Sequence, residues 1–278
     1  MKFQSPAKVN LHLEVLGKRP DGYHEIQTLL HRVDICDEVE IRLGGRGVRL
    51  ATEGEAVPGG MGNLASRAAQ ALSQAAGVRA GLQLRLKKRI PVAAGLGGGS
   101  SNAATVLMGL NELLQTGWKE ERLMSLGSQI GADVPFFIFQ KPALARGVGE
   151  RLTAVELPEP LWFLMLIPPF GIPTAWAYET YDRMEKKKSE SLQIKNLYPT
   201  LADLMPVLKN DLESVALSKY PQIAHVKKEL LAHGAEGALM SGSGPVIFGL
   251  FPAKKAAEQT EKVIVLPEGW RTIITRGI

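Results

Sequence analysis

The sequence predicts an α+β chain folded as two lobes, placed at residues 1–157 and 158–278. Three observations carry that prediction. Segments patterned as strands and as helices alternate along the chain, Glu156 to Pro160 interrupts two differently textured halves, and a glycine-rich loop from Gly95 to Gly99 stands between a strand pattern and a helix pattern.

In the first half, strands are expected at about 3 to 16, 33 to 43, 47 to 52 and 82 to 89, and again near 136 to 147; helices are expected at about 63 to 76, 100 to 115 and 119 to 129. The strand over 82 to 89 rests on Leu82, Leu84 and Leu86 alternating with Gln83, Arg85 and Lys87. The helix after Ser100 rests on apolar residues at Ala103, Val106, Leu107, Leu110, Leu113 and Leu114, with Ser100 or Ser101 capping its first turn. The second half opens with a strand over 162 to 167, which ends at Pro168 and Pro169 and leads through Phe170 to Thr174 into a helix. Helices are expected at 200 to 217, 221 to 233 and 253 to 263. A turn from Ala238 to Gly244 precedes the strand 245 to 251, and a last strand closes the order. That order suggests helices on one face of an antiparallel sheet.

Composition excludes several classes. A chain of 278 residues, 45% hydrophobic and 22% charged, can bury a sizeable core without staples. One cysteine, Cys36, rules out an intramolecular disulfide and points to a reduced, cytoplasmic setting, with packing the better reading of the lone thiol. The longest apolar stretch, Leu161 to Pro169, is too short to span a membrane. No removable leader is expected, because a chemically loaded segment begins at Ser5. The net charge of +5 is scattered apart from Lys87-Lys88-Arg89 and Lys186-Lys187-Lys188, and neither run is interleaved with aromatics, so nucleic acid is not the expected partner. A polyanionic small substrate accounts for the same sign.

The loop Pro91, Val92, Ala93, Ala94, Gly95, Leu96, Gly97, Gly98, Gly99, Ser100, Ser101 has the makings of a phosphate cradle. Glycines let successive backbone N–H groups converge on an anion, and the helix behind adds unpaired N–H groups and its positive dipole end. Better-known phosphate motifs do not fit: no lysine sits in the loop as in a Walker sequence, position 100 is serine where a Rossmann fingerprint needs glycine or alanine, and no Asp-Phe-Gly accompanies His31-Arg32-Val33-Asp34. His24 and Glu25 lack the second histidine four residues on that a zinc helix needs, and His225 and His233 suit surface or capping roles.

Phosphoryl transfer also needs a base. Asp133 lies between small residues and the apolar run Val134 to Phe137, where partial desolvation is plausible; the same position suits a helix cap or turn former. Lys8, Asn10 and His12 share one face of the first strand and Val9, Leu11 and Leu13 the other, so Lys8 is either an edge residue in solvent or a functional charge.

Pro6-Ala7-Lys8-Val9-Asn10, the loop Gly95 to Ala104, Gly131-Ala132-Asp133-Val134-Pro135 and Ser241-Gly242-Ser243-Gly244 occur in that order, together with Asp21-Gly22-Tyr23-His24. The combination resembles the GHMP kinase superfamily over residues 5 to 244. The resemblance implies an N-terminal lobe like ribosomal protein S5 and a C-terminal ferredoxin-like lobe. It implies ATP-dependent phosphorylation of the 2-hydroxyl of a CDP-linked methylerythritol, with Mg2+ on the phosphates and no nameable metal ligand. Asp133 would take the hydroxyl proton and Lys8 would pair with it; Asn10 would hold the polyol. The residues Pro91 to Ser101 would bind the ATP phosphates, with Asn63 and Lys88 lining the nucleotide pocket. Tyr23 and Tyr178 would sandwich the cytosine ring, a contact worth ~1 to 3 kcal/mol per base, while His24 reads its edge. Ala93 and Ala94 depart from a pattern that carries glycine in many relatives, and the Ser241 to Gly244 turn would close over the reacting end. A monomer or homodimer is expected. A non-catalytic sensor, or a sister kinase for another alcohol, would keep part of this set.

Overall fold

The computed structural model describes residues 1–184 and 191–278; the Lys186-Lys187-Lys188 run lies outside the described residues. The chain clusters into two compact units, each drawn from several segments: Met1–Ala7, Ile35–Val92 and Gly97–Lys141 form unit 1, and Lys8–Asp34, Ala93–Leu96 and Pro142–Ile278 form unit 2. These units do not coincide with the lobes 1–157 and 158–278. The reason is the length of β1 (Lys2–Lys18) and β2 (His24–Leu43), each of which contributes residues to both.

In unit 1, β3 (Val48–Gly54) runs parallel to β4 (Leu82–Lys88), and β4 runs antiparallel to the second half of β2, with Glu38 opposite Lys87 and Leu43 opposite Leu82. A parallel pair needs a crossover, and α1 (Leu64–Ala75) lies in the one between β3 and β4. Leu82, Leu84 and Leu86 are buried while Gln83 and Arg85 are exposed, as the alternation predicts. Three further helices complete the unit, α2 (Gly98–Leu113), α3 (Glu120–Ser128) and α4 (Val134–Phe139).

Unit 2 contains a sheet in the order β11 (Arg271–Arg276), β7 (Trp162–Ile167), β10 (Ile247–Phe251), β9 (Gly237–Met240), every neighbouring pair antiparallel. The helices α8 (Gln222–Ala232) and α9 (Lys254–Val263) pack on it, and Leu164, Leu166, Val226, Leu230, Ile247 and Ala257 share its core. This strand order with its intervening helices is the ferredoxin-like pattern, as the resemblance implies. The first half of β2 pairs with β5 (Ala143–Gly147), which pairs with β6 (Arg151–Ala154), while β1 pairs in parallel with the short β8 (Lys209–Asn210). The remaining helices are α5 (Thr174–Arg183), α6 (Leu201–Leu204) and α7 (Glu213–Lys219).

Several elements differ from the sequence reading, for identifiable reasons. Residues 136–139 of the expected strand 136 to 147 are helical, belonging to α4: Pro135 sits in its first turn, where its fixed φ suits a helix, and the run is buried, so apolar character carries no period to read. The first strands are longer than expected; β2 begins at His24 because Ile26 to His31 is buried on successive residues and shows no alternation. The helix expected over 200 to 217 is broken by a 3₁₀ turn at Met205–Val207, containing Pro206, and by β8. Residues 238–240, expected in a turn, belong to β9. Finally, α2 starts at Gly98, capped by Gly97 in the left-handed region (φ 69°), so Ser100 and Ser101 sit inside its first turn rather than capping it.

Candidate active site

Within unit 1, the start of α2 is the place expected for the anion nest. The first helical hydrogen bond there is Ser101 N–H to the Gly97 carbonyl at 2.9 Å. That leaves the N–H groups of Gly98, Gly99 and Ser100 without intrahelical partners at the positive end of the dipole. Gly99 is exposed. The Gly131–Asp133 turn is close by, since a methyl built on Gly131 would lie 3.6 Å from Ser100 Oγ. Asp133 occupies the N-cap position of α4 yet makes no side-chain capping hydrogen bond, and it is half-buried. The cap reading therefore explains its place in the chain but not its carboxylate.

Beneath the nest runs a buried polar network. Lys88, at the inward end of β4, bonds Asp37 on β2, their side chains 3% and 0% exposed. Asp37 also accepts from Arg89 N–H (2.7 Å), Ile90 N–H (2.9 Å) and Asn102 Nδ2 (2.9 Å). Asn102 Oδ1 accepts from Lys88 at 3.2 Å, and Asn102 Nδ2 donates to Ser5 Oγ, which is hydrogen-bonded to Ser101 Oγ at 2.8 Å. The carboxylate thus fixes the end of β4 just before the loop, and one helical turn inside α2. Lys88, expected in the nucleotide pocket, has its ammonium engaged in this network. Asn63 is likewise occupied: Oδ1 caps α1 by accepting from Ala65 N–H at 2.9 Å, and Nδ2 donates to the Pro58 carbonyl.

Within unit 2, β1 presents Lys8 and Asn10, each 4% exposed. The edge-in-solvent alternative for Lys8 is thereby removed. Lys8 Nζ donates to Asn10 Oδ1 (2.5 Å), Asn10 Nδ2 to Thr28 Oγ1 (2.8 Å), and Thr28 Oγ1 to the His12 carbonyl (2.5 Å). This chain sets the Asn10 amide with its oxygen toward the ammonium. Burial pushes the His12 imidazole down from its ordinary value, and its Nδ1 lies 2.7 Å from the Val207 carbonyl.

The loop Ala93–Leu96 joins the same place: the Lys8 N–H donates to the Leu96 carbonyl (3.0 Å) and Ser241 Oγ donates to the Gly95 carbonyl (3.0 Å). Gly95 has φ 76°, and a side-chain carbon there would lie 2.0 Å from the Ser241 carbonyl oxygen, so only glycine fits. The Ser241–Gly244 turn approaches Lys8 as well, a methyl on Gly242 falling 3.4 Å from Nζ. Ala93 has φ 52°, a left-handed alanine.

The expected base pocket is also in unit 2. Tyr23 is 63% exposed. The His24 ring stacks on Tyr178, centroids 4.8 Å apart and planes at 27°, and its Nε2 is 2.8 Å from Asp182 Oδ1. One face of Tyr178 is therefore taken by His24 itself.

The family models for the GHMP kinases N terminal domain and the GHMP kinases C terminal match residues 63–141 and 193–264. A 4-diphosphocytidyl-2-C-methyl-D-erythritol kinase from Citrifermentans bemidjiense is 47% identical over 279 residues, covering 100% of this chain and 99% of that one. The chain belongs to the 4-diphosphocytidyl-2-C-methyl-D-erythritol kinases, within the GHMP kinase family. The kinase of the same name from Geobacter metallireducens is 46% identical, again covering 100% of this chain and 99% of the other. A crystal structure of a 4-(cytidine 5'-diphospho)-2C-methyl-D-erythritol kinase superposes with a TM-score of 0.79 at 34% identity over the whole of both chains. A homoserine kinase from Cytophaga hutchinsonii shares the fold alone, with a TM-score of 0.76 at 19% identity, covering 100% of this chain and 94% of that one.

Two residues of this GHMP kinase's site region escaped the sequence reading. Asp37 carries a signal: Val33, Ile35, Val39 and Ile41 are the inward register of β2, and an acid in that register has to be paired. Asp182 has none, because its partners Lys18 and His24 are more than 150 positions away.

Proposed function

We propose that this protein transfers the γ-phosphoryl group of ATP to the 2-hydroxyl of 4-diphosphocytidyl-2-C-methyl-D-erythritol, giving the 2-phosphate and ADP in the non-mevalonate route to isoprenoid precursors. The names of its full-length relatives support the substrate. The observation that carries the chemistry is the anion nest of α2 with the Gly131–Asp133 turn beside Ser100.

In this reading Pro91 to Ser101 receive the ATP phosphates and Asp133 accepts the proton of the 2-hydroxyl as its oxygen attacks the γ-phosphorus. The bond to the β-phosphate oxygen breaks and ADP leaves. Lys8 balances charge at Asp133, and Asn10, oriented by Lys8 and Thr28, keeps one amide hydrogen and one lone pair for the polyol. Catalysis is mostly positioning plus electrostatics. Tyr23 and Tyr178 receive the cytosine, and His24 meets its edge. Asn63 and Lys88 act on the nucleotide through the backbone they brace.

Among the described residues no group of three or more His, Cys, Asp or Glu side chains is arranged to hold a metal. The Mg2+ of this proposal accompanies the nucleotide, neutralising its phosphates, and no protein ligand is assigned to it. No helix among the described residues is long and apolar enough to cross a membrane. We place the enzyme in the cytoplasm on its single cysteine, as a monomer or homodimer with functional lobes at 1–157 and 158–278.

The test is Asp133→Asn. Turnover is expected to fall at least a thousandfold, with ATP affinity within a few-fold of wild type, because the carboxylate removes a proton and does not bind nucleotide. Retained turnover would remove Asp133 from the mechanism. Absence of ADP formation by the wild type with the cytidine substrate would favour a sensor.

A further inference from the structure

Tyr178 and Asp182 stand four residues apart on α5, hence on one face of the helix, and both meet the His24 imidazole. Tyr178 stacks on the ring while Asp182 Oδ1 takes Nε2 at 2.8 Å. The other carboxylate oxygen, Oδ2, accepts from Lys18 Nζ at 2.8 Å. Helix formation does not account for Asp182: an acid in the last turn of a helix faces the negative end of the dipole. The ion pair with Lys18 and the bond to His24 hold its carboxyl down to about 2.

An ionised carboxylate has no proton to donate. His24 Nε2 must therefore carry the hydrogen of the bond to Asp182, and in the neutral ring Nδ1 is left as an acceptor. The pyrimidines differ at this kind of contact. Cytosine carries an amino donor at position 4 where uracil carries a carbonyl acceptor. An acceptor nitrogen attracts the first and repels the second.

We infer that Asp182 is a positioning residue that makes the base site select cytosine over uracil, by fixing His24 in the tautomer whose Nδ1 accepts a hydrogen bond from the 4-amino group. The inference rests on the proposal that Tyr23, His24 and Tyr178 receive the base. Lys18 gives it a sharp consequence. In Asp182→Asn the ammonium of Lys18 draws the amide oxygen, which turns the amide N–H toward His24 Nε2. Nε2 must then accept, and the hydrogen moves to Nδ1.

The experiment compares kcat/KM for the cytidine-diphosphate-linked substrate and its uridine-diphosphate analogue, in wild type, Asp182→Asn and Asp182→Ala. A ratio within one preparation does not depend on how much of the protein is folded. Wild type is expected to prefer the cytidine compound by on the order of a hundredfold, Asp182→Asn to lose at least tenfold of that ratio, and Asp182→Ala to lie between. Nitrogen-15 NMR of the His24 ring should report hydrogen on Nε2 in wild type and on Nδ1 in Asp182→Asn. An unchanged ratio in Asp182→Asn, or an unchanged tautomer, overturns the role of Asp182 while leaving the base pocket standing. A wild type that turns over both compounds equally overturns the pocket itself, and this inference with it.

Discussion

Replacing Asp37 by Asn keeps the side chain's shape but removes the charge that Lys88 faces. With the two side chains 0% and 3% exposed, the ammonium is then a buried cation opposite an amide. The new amide can keep its oxygen toward the Arg89 and Ile90 N–H groups, which turns its NH2 toward Lys88 and Asn102, donor against donor. Breaking a buried ion pair from one side costs about 3–5 kcal/mol. At ~2–4 °C per kcal/mol, the melting temperature falls by roughly 10 °C. Lys88→Met leaves the carboxylate three remaining donors, so its cost is smaller, about 2 kcal/mol. The double variant is expected to be more stable than Asp37→Asn alone, because no unpaired ammonium remains. Urea unfolding of the four proteins gives the coupling energy directly. The reasoning is refuted if Asp37→Asn costs under ~1 kcal/mol or if the two substitutions add. Steady-state kinetics on the same proteins tests the assignment of Lys88. If its ammonium serves the network, Lys88→Met changes the ATP KM by only a few-fold, whereas a large rise returns Lys88 to the nucleotide pocket.

Three more outcomes follow from the geometry. His31 is 1% exposed, and burial, aided by the Arg32 charge, lowers its pKa from 6.5 to about 4. Its unfolded form binds a proton across that window and the folded form does not, so stability present above pH 6.5 is lost as pH falls toward 4. The loss is about 3 kcal/mol at 1.36 kcal/mol per pH unit. Urea unfolding of wild type against His31→Gln between pH 7 and 4 should show that difference, and parallel curves would exclude His31 as its source. Gly95→Ala forces a left-handed alanine costing ~1–2 kcal/mol and a contact of 2.0 Å with Ser241, so both stability and the ATP KM should worsen; a neutral result in thermal melts and kinetics would mean the loop yields freely. Ala93→Gly relieves φ 52° and should stabilise by up to ~1 kcal/mol, the gain being trimmed by the freer unfolded chain; a lower melting temperature would contradict it.

What the sequence could tell depended on whether a pattern was local. Leu82 to Leu86, buried at alternate positions, and the glycine loop ahead of α2 were legible because each signal lies within a few residues. The segment Val134–Phe139 was not, since a fully apolar run serves a buried helix and a buried strand equally. Lys8 was open between solvent and function on alternation alone; its burial depends on the covering of both faces of β1, with Val9 and Leu11 at 0% and Lys8 and Asn10 at 4%. The preference of Lys88 for Asp37 and the bond of His24 to Asp182 are choices of partner, and only the folded chain makes them.

Unit 2 takes residues 8–34 from the beginning of the chain and the strands that flank them, β5 and β8, from residues 143–147 and 209–210. A ribosome therefore delivers the lysine-bearing strand together with its neighbour β2, but long before β8, the partner on its other edge, exists. Over most of its synthesis the nascent polypeptide carries Val9, Leu11 and Leu13 without their final neighbours, a delay that non-local pairing always imposes. A fragment beginning at residue 158 would keep the sheet of β7, β9, β10 and β11 but would emerge with β8 lacking β1 to receive it, and without Lys8 and Asn10.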